Sequence, residues 1–459
     1  MSNLTLSVLS HAEIETIHEK SIKLIADTGF HTSHHETLVR FRQAGALVDE
    51  TAGLIKIPGE LTAELLSLAP DTALETGLNG KTLSAGGANR YYVSLILDPY
   101  VVDWDEGIRK PKLEDVRRNT IVGESLDRVN AMMRMQYPVS DIPGQDSYYK
   151  TMEVFLANTT KHIAVYPVSE ANCREWMDAA AVVAESASLP VNETPLLSVA
   201  MAVTSPLQIH PPNIEIMKQA MERCYPIIPT VCPMAGTTSP YSVAGTFLQA
   251  NLESLLPILV VQLYKPGHPV FYGIGPSATD MKTGRDLYYR AEKSLFKIMA
   301  NQMAEFYHLP SSGEAGGTLT HRADLQNGAE SMLYLLSSHG TRQNIIGGLG
   351  SLGNANGMST EQIIMQCGLV DMAEYVSRGV DVSEEKLGVK SIEEVGPGGN
   401  FMMDSLTLSL LRDNEEFLES EYLDLSGGYD GEGTGMYEKA HIITSDLVSG
   451  YESTVPEKT

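Results

Sequence analysis

The amino-acid sequence predicts an α/β fold, a (β/α)8 TIM-type barrel with an N-terminal helical extension. Three observations carry this expectation. Seven apolar runs of strand length, at 129–135, 162–168, 196–203, 226–232, 269–275, 308–314 and 342–349, alternate with helix-like segments. From residue 162 on, successive runs begin 30 to 43 residues apart, which leaves room for a strand, a crossover helix and two loops. An eighth strand is available at 91–97, ahead of the other seven. A doubly wound open sheet is the competing architecture. The first strand–helix turn lacks its phosphate-binding fingerprint, and GIGPSA at 273–278 has two glycines of that spacing without a dinucleotide context.

The first ~80 residues read as helices with start signals. Ser10 and Glu13 form a capping-box pattern ahead of the stripe Ile14, Ile17, Ile22, Leu24 and Ile25, which Gly29 ends. Ser33 with Glu36 repeats the arrangement, and a third helix follows Pro58 through Leu61, Leu65 and Leu66. The division expected is an extension at 1–90, the barrel at 91–390, and a Gly-rich loop with a helical segment closing the barrel at 391–459. In that last part SGGYDGEGTGMYEK reads as a surface loop leading into a terminal helix.

The chain has 459 residues, 43% hydrophobic and 20% charged, so a large core is within reach. A net charge of −25 opposes non-specific binding to nucleic acid or to an anionic membrane surface. Cys173, Cys224, Cys232 and Cys367 show no paired spacing, and the N-terminus has no basic region followed by an apolar one. A cytoplasmic protein with reduced thiols is expected. The most apolar segment, 252–264, is interrupted by Glu253, Pro257 and Gln262 and reads as a buried helix.

In a barrel of this kind the site lies at the C-terminal ends of the strands. Those ends supply Gln136 and Tyr137, Tyr166, Thr204, Ser205 and Gln208, Met234, Thr237 and Thr238, Tyr272 and Ser277, Glu314, and Ser351 and Asn354. No triad stands out. A mouth rich in tyrosine can hold a quaternary ammonium by cation–π attraction, against the alternative that each tyrosine is a half-buried core residue. Glu314 is the sharpest position. It either complements a cation or caps the next helix, and Ala-Gly-Gly after it permits close backbone approach. Asp280 either coordinates an ion or holds its own loop. The loop at 396–400, with Gly398, Gly399 and Asn400, either lines a ligand or is a tight turn. No metal-ligand spacing occurs, so no metal is expected, and His162, His210, His268, His308, His321 and His339 read as satisfied single histidines.

Several longer stretches resemble one family. They are HAEIETIHEKSIKLIADTG at 11–29, DWDEGIRKPKLEDV at 103–116, SPLQ at 205–208, AGTTSPYSVAGTFLQANLE at 235–253, YGIGPSATDMKTG at 272–284 and VGPGGNF at 395–401. In order and length they resemble the trimethylamine methyltransferase (MttB-like) superfamily, whose members are (β/α)8 barrels. The resemblance implies transfer of a methyl group from a methylated amine to the Co(I) form of a small corrinoid protein. No cofactor is then bound permanently, and the corrinoid (cobalamin-type) group belongs to the partner. The chain contains no pyrrolysine, so it is similar to the branch that demethylates glycine betaine and related quaternary amines. Many members carry a His after Gly-Pro-Gly-Gly, where this chain has Asn400, and several an Ile-His-Gly where it has Ile346-Gly347-Gly348.

The expected site therefore has Glu314 as electrostatic partner and Tyr137, Tyr166 and Tyr272 as cage residues. Gln208 and Asn354 serve as polar anchors and 398–400 as a corrinoid-facing loop, with Tyr92 and Tyr100 as weaker cage candidates. The partners expected are a small quaternary amine, a corrinoid protein and further copies of the chain. The rival functions are a barrel lyase or hydrolase, which needs an acid/base pair at the mouth, and a non-catalytic betaine-binding protein.

Overall fold

In a computed structural model, residues 4–191, 193–413, 416–425 and 433–453 are described. Eight strands are parallel throughout: β1 (Tyr91–Leu95), β2 (Ala131–Met135), β3 (His162–Tyr166), β4 (Leu197–Val203), β5 (Ile227–Val231), β6 (Tyr272–Gly273), β7 (Ser311–Glu314) and β8 (Ile345–Leu349). Their spatial order is β5-β4-β3-β2-β1-β8-β7-β6. The ring closes between β5 and β6, where Phe271 N donates to Ile227 O at 2.9 Å and Ile227 N to Pro269 O at 3.2 Å. The chain is a (β/α)8 barrel, and the segment at 91–97 supplies its first strand.

The helices after the strands are α4 (Leu113–Ser125), α5 (Asp146–Leu156), α6 (Glu170–Ser186), α7 (Pro211–Glu222), α8 (Val243–Tyr264), α9 (Glu292–Phe306), α10 (Leu325–His339) and α11 (Thr360–Arg378). Before them stand α1 (His11–Asp27), α2 (His35–Gln43) and α3 (Gly59–Ser67). All three of these pack on α8, which explains why α8 is apolar on nearly every side. It is long and apolar enough to cross a membrane, and 72% of its most apolar window is buried within the fold.

The extension is more than helical. Phe30–His31, Leu47–Asp49 and Leu54–Lys56 form an antiparallel sheet, and Ala73–Thr76 pairs with Thr82–Ala85 as a hairpin. These strands are two to four residues long, too short for alternation to show in the sequence. Ser10 forms its capping box with Glu13 as expected, but α2 is capped by the His34 ring accepting from Thr37 N, and not by Ser33. At the other end the helix Met436–Ser449 packs on α11 and α4, with Tyr437 and His441 against Trp104. Residues 426–432, the core of the acidic Gly-rich stretch, lie outside the described residues.

What positions the site is the barrel interior. Its inward residues include Ala131, Ala164 and Ala200 beside Val93, Ile228 and Ile345. Barrels filled by bulky branched residues are solid. Alanines on three neighbouring strands leave space, and a cavity of about 110 Å³ results, lined also by Met133 and Met135. The hairpin closes its floor: Ala73 and Ala85 join the interior cluster, and Glu75 accepts from the Ser198 hydroxyl, which also bonds His162 Nε2 at 2.9 Å. His162 Nδ1 pairs with Thr76 O at 3.2 Å, so this histidine is a satisfied buried one, its pKa held down by burial.

Candidate active site

The cavity reaches the C-terminal ends of the strands at Gly275, Glu314 and Gly347, and the loops beyond those ends form two small sheets. One joins Tyr100–Asp103 and Gly107–Arg109 to Ser351–Leu352 and Gly357–Met358. The other joins Met234–Ala235, Ser277–Thr279 and Asp286–Leu287. Several family-like stretches build this rim. In DWDEGIRKPKLEDV, Arg109 bonds Asp103 at 2.9 Å and Asp115 at 2.6 Å, pinning the first hairpin to α4. In LQANLE, buried Glu253 accepts from Ser205 Oγ at 2.6 Å and Leu207 N at 2.9 Å, so it holds the SPLQ loop. Asp280 accepts from Lys282 N at 3.0 Å and from Thr283 Oγ1 at 2.6 Å, and so holds its own loop.

Glu314 ends β7 and lines the cavity. It does not cap α10, whose N-terminus is capped by Asp324. Its Oε2 accepts from the Tyr289 hydroxyl at 2.8 Å, and the Tyr288 hydroxyl faces both Glu314 and Cys232. The glycines after Glu314 do allow close approach, but by protein: a Cβ on Gly317 would overlap the Tyr289 ring, and one on Gly316 the β8 backbone. Asp98, just past β1, accepts from Ser351 Oγ at 3.2 Å. Burial and then the nearby Glu314 charge push its pKa up to about 8, so it is a neutral acid at pH 7. Cys232 lines the wall as a thiol, raised to about 12 chiefly by burial.

Of the tyrosines expected here, Tyr166 lines the cavity and Tyr137 stands at the mouth, half-buried and within electrostatic range of Asp98, Glu314 and Tyr166. Burial, first of all, raises both phenols, Tyr166 to about 12. Tyr272 is placed elsewhere. It opens β6 pointing outward, and its hydroxyl donates to Asn251 Oδ1 on α8 at 2.7 Å. The period-2 alternation puts its neighbour Gly273 on the cavity wall instead. Tyr92 also points outward, to Glu374 at 2.8 Å, and Tyr100 is exposed beneath Lys110.

The polar anchors differ as well. Gln208 exchanges backbone hydrogen bonds with Thr204 and borders a separate cleft with the extension, outside the barrel. Asn354 does not line the cavity; it takes the Tyr289 N–H at 3.2 Å and donates to Asp286 O at 2.7 Å, so it positions the tyrosine loop. Gly398, Gly399 and Asn400 lie in an exposed turn after the short helix Val389–Val395, where Asn400 accepts from Met402 N at 3.2 Å. That segment follows the C-terminal end of α11, whose Ser359-capped N-terminus is the end at the mouth. Outside the barrel, His34, Glu36 and Glu215 cluster with metal-ligand spacing, but the Lys218 ammonium already bonds both carboxylates at 2.8 and 2.9 Å.

Residues that sequence reasoning missed are Asp98, Tyr288, Tyr289, Lys293 and Cys232. The run DLYYRAEK reads as the entry to a helix, whereas it folds back so that both tyrosines face Glu314. A Tyr-Tyr pair between a strand end and a helix start was the available signal.

The family described as trimethylamine methyltransferase (MTTB) matches residues 2–457. The trimethylamine methyltransferase MttB of Desulfitobacterium hafniense is 27% identical over 458 residues, covering 98% of this chain and 90% of that protein. MttB of Methanosarcina barkeri is 27% identical over 419 residues, 90% of this chain and 84% of its own. A glycine betaine methyltransferase of Desulfitobacterium hafniense is 25% identical over 403 residues, 87% of this chain and 84% of its own. Among solved structures, the monomethylamine methyltransferase MtmB of Methanosarcina barkeri superposes with a TM-score of 0.56 at 11% identity, over 96% of this chain and 88% of that one, a likeness of fold. With the family matched from end to end and the barrel shared, the chain belongs to the trimethylamine methyltransferase (MTTB) family.

Proposed function

We propose that the protein moves a methyl group from a quaternary amine, glycine betaine or a related betaine, to the Co(I) centre of a corrinoid protein. The observation that carries this reading is the composition of the cavity. Glu75, Glu314 and the tyrosine faces line it, its thiol is held protonated by burial, and the Ser198–His162 pair at the closed floor has its hydrogen bonds taken up by Glu75 and Thr76 O. Such a chamber binds a cation and offers no nucleophile of its own.

The chemistry is consistent with that lining. The N–CH3 bond breaks with its electron pair remaining on nitrogen, so a neutral tertiary amine leaves. The two electrons of the new C–Co bond come from Co(I), and no proton moves. What the chain has to do is align one methyl with the mouth and exclude water. Glu314 stabilises the ammonium that is present before transfer, and the neutral amine formed afterwards is held less tightly. Asp98, its pKa raised by burial and by Glu314, adds no full negative charge next to Glu314 at pH 7.

The test is a substrate panel of glycine betaine, trimethylamine, carnitine and proline betaine, each given to the protein with a Co(I) corrinoid protein of the same organism. Mass spectrometry should find dimethylglycine or the corresponding demethylated betaine. Demethylation of trimethylamine alone would overturn the quaternary-amine reading.

A further inference from the structure

Lys293 is the second residue of α9 and is 4% exposed. Its Nζ makes no hydrogen bond among the described residues. It lies 3.0 Å from the ring centre of Tyr288, which lines the cavity, and 4.3 Å from that of Tyr289, which binds Glu314. A lysine in this position is unfavourable on three counts. Burial costs the charge its hydration, no hydrogen-bond acceptor repays that cost, and a helix N-terminus repels a cation. The two aromatic faces offset part of this.

The charged and titratable groups around it come from every packed element: Glu314 on β7, Cys232 after β5, Asp286, Tyr288 and Tyr289 on the loop before α9, and Lys297 one turn on. Burial lowers the Lys293 pKa to about 8, against the pull of Glu314, Cys232 and Asp286. Nothing in the folding of α9 accounts for a free ammonium there. An anion entering from the cavity does, and the first turn of α9 favours the same sign of charge. At Gly347 the absent side chain leaves cavity space beside Glu314, with the nearest atoms 3.9 Å from where a Cβ would be.

We infer that Lys293 receives the carboxylate of a zwitterionic substrate whose quaternary ammonium rests against Glu314 and the tyrosines, so that the site selects N-methylated amino acids over simple quaternary cations. This rests on the quaternary-amine reading above and adds the residue that recognises the second charge. The Tyr288 ring covers the ammonium in the free protein, so this contact requires the ring to turn aside.

The test is calorimetry of glycine betaine and of tetramethylammonium, which has the same cationic head without a carboxylate. It uses the full-length protein, Lys293→Met and Lys293→Arg. Lys293→Met should lower betaine affinity by about tenfold or more, the usual scale for a charge-assisted contact, and leave tetramethylammonium unchanged or tighter. Lys293→Arg should recover part of the loss. Betaine affinity of the native protein should fall as pH rises through about 8, and that dependence should be absent from Lys293→Met. Loss of a buried unpaired charge does not unfold a protein, so the Met variant should melt no lower than the native chain. Equal loss for both ligands, no loss for betaine, or native binding of tetramethylammonium without betaine would overturn the role of Lys293 alone. Binding of neither ligand by the native protein would overturn the quaternary-amine reading with it.

Discussion

Tyr289 donates its hydroxyl to Glu314 at 2.8 Å, and Asn354 fixes the backbone of that tyrosine from the loop after β8. Three strand-end loops thus converge on one carboxylate. Glu314→Gln keeps the shape and removes the charge, so tetramethylammonium binding should weaken by about 1.5–3 kcal/mol, the range for losing a charged partner. Calorimetry measures it, and an unchanged affinity would remove Glu314 from the cation site.

Gly317 lies flush against the Tyr289 ring, and a methyl group there has no room. Gly317→Ala should therefore displace Tyr289 and weaken tetramethylammonium binding, although residue 317 does not line the cavity. A crystal structure of the variant with Tyr289 unmoved would contradict this.

Tyr272 offers a contrast. Its hydroxyl bonds Asn251, which in turn bonds Ser21 at 2.8 Å and Tyr307 at 3.1 Å, tying the barrel to the N-terminal extension. Tyr272→Phe should cost about 1–3 kcal/mol of stability, because it leaves a buried acceptor unpaired. Ligand affinity should stay native. Urea titration and calorimetry together separate the two effects.

Asp98 makes stability depend on pH. Its pKa rises from 3.8 to about 8 on folding, so the folded protein holds that proton more tightly. The stability it contributes is fully present below the unfolded value and is lost as pH rises through the folded one. Asp98→Asn cannot ionise. Its stability relative to the native chain should climb between about pH 4 and pH 8 and level off above that. Urea midpoints for both proteins across this range provide the check, and parallel curves would refute it.

Much of the barrel was legible because each strand–helix unit carries its own apolar period and turn residues, which are local signals. The short strands of the extension were not, since two to four residues are too few for alternation to show. At the site, Glu314, Tyr137 and Tyr166 could be placed from strand ends alone. Tyr272 could not: a two-residue strand leaves its inward face undetermined by pattern, and a one-residue change of phase sends the ring to the opposite side. Asp98 and Lys293 were hidden for a different reason. Their significance lies in being buried without adequate partners, a property of the packed interior that no spacing in the chain encodes.

The most direct measurement is the visible spectrum of a reduced corrinoid protein mixed with this protein and glycine betaine. The account predicts conversion of the Co(I) bands to those of methyl-Co(III), with one dimethylglycine formed per cobalt methylated. A Co(I) spectrum that stays unchanged with glycine betaine and with every other betaine tried, using a corrinoid protein proven active with another methyltransferase, would contradict it.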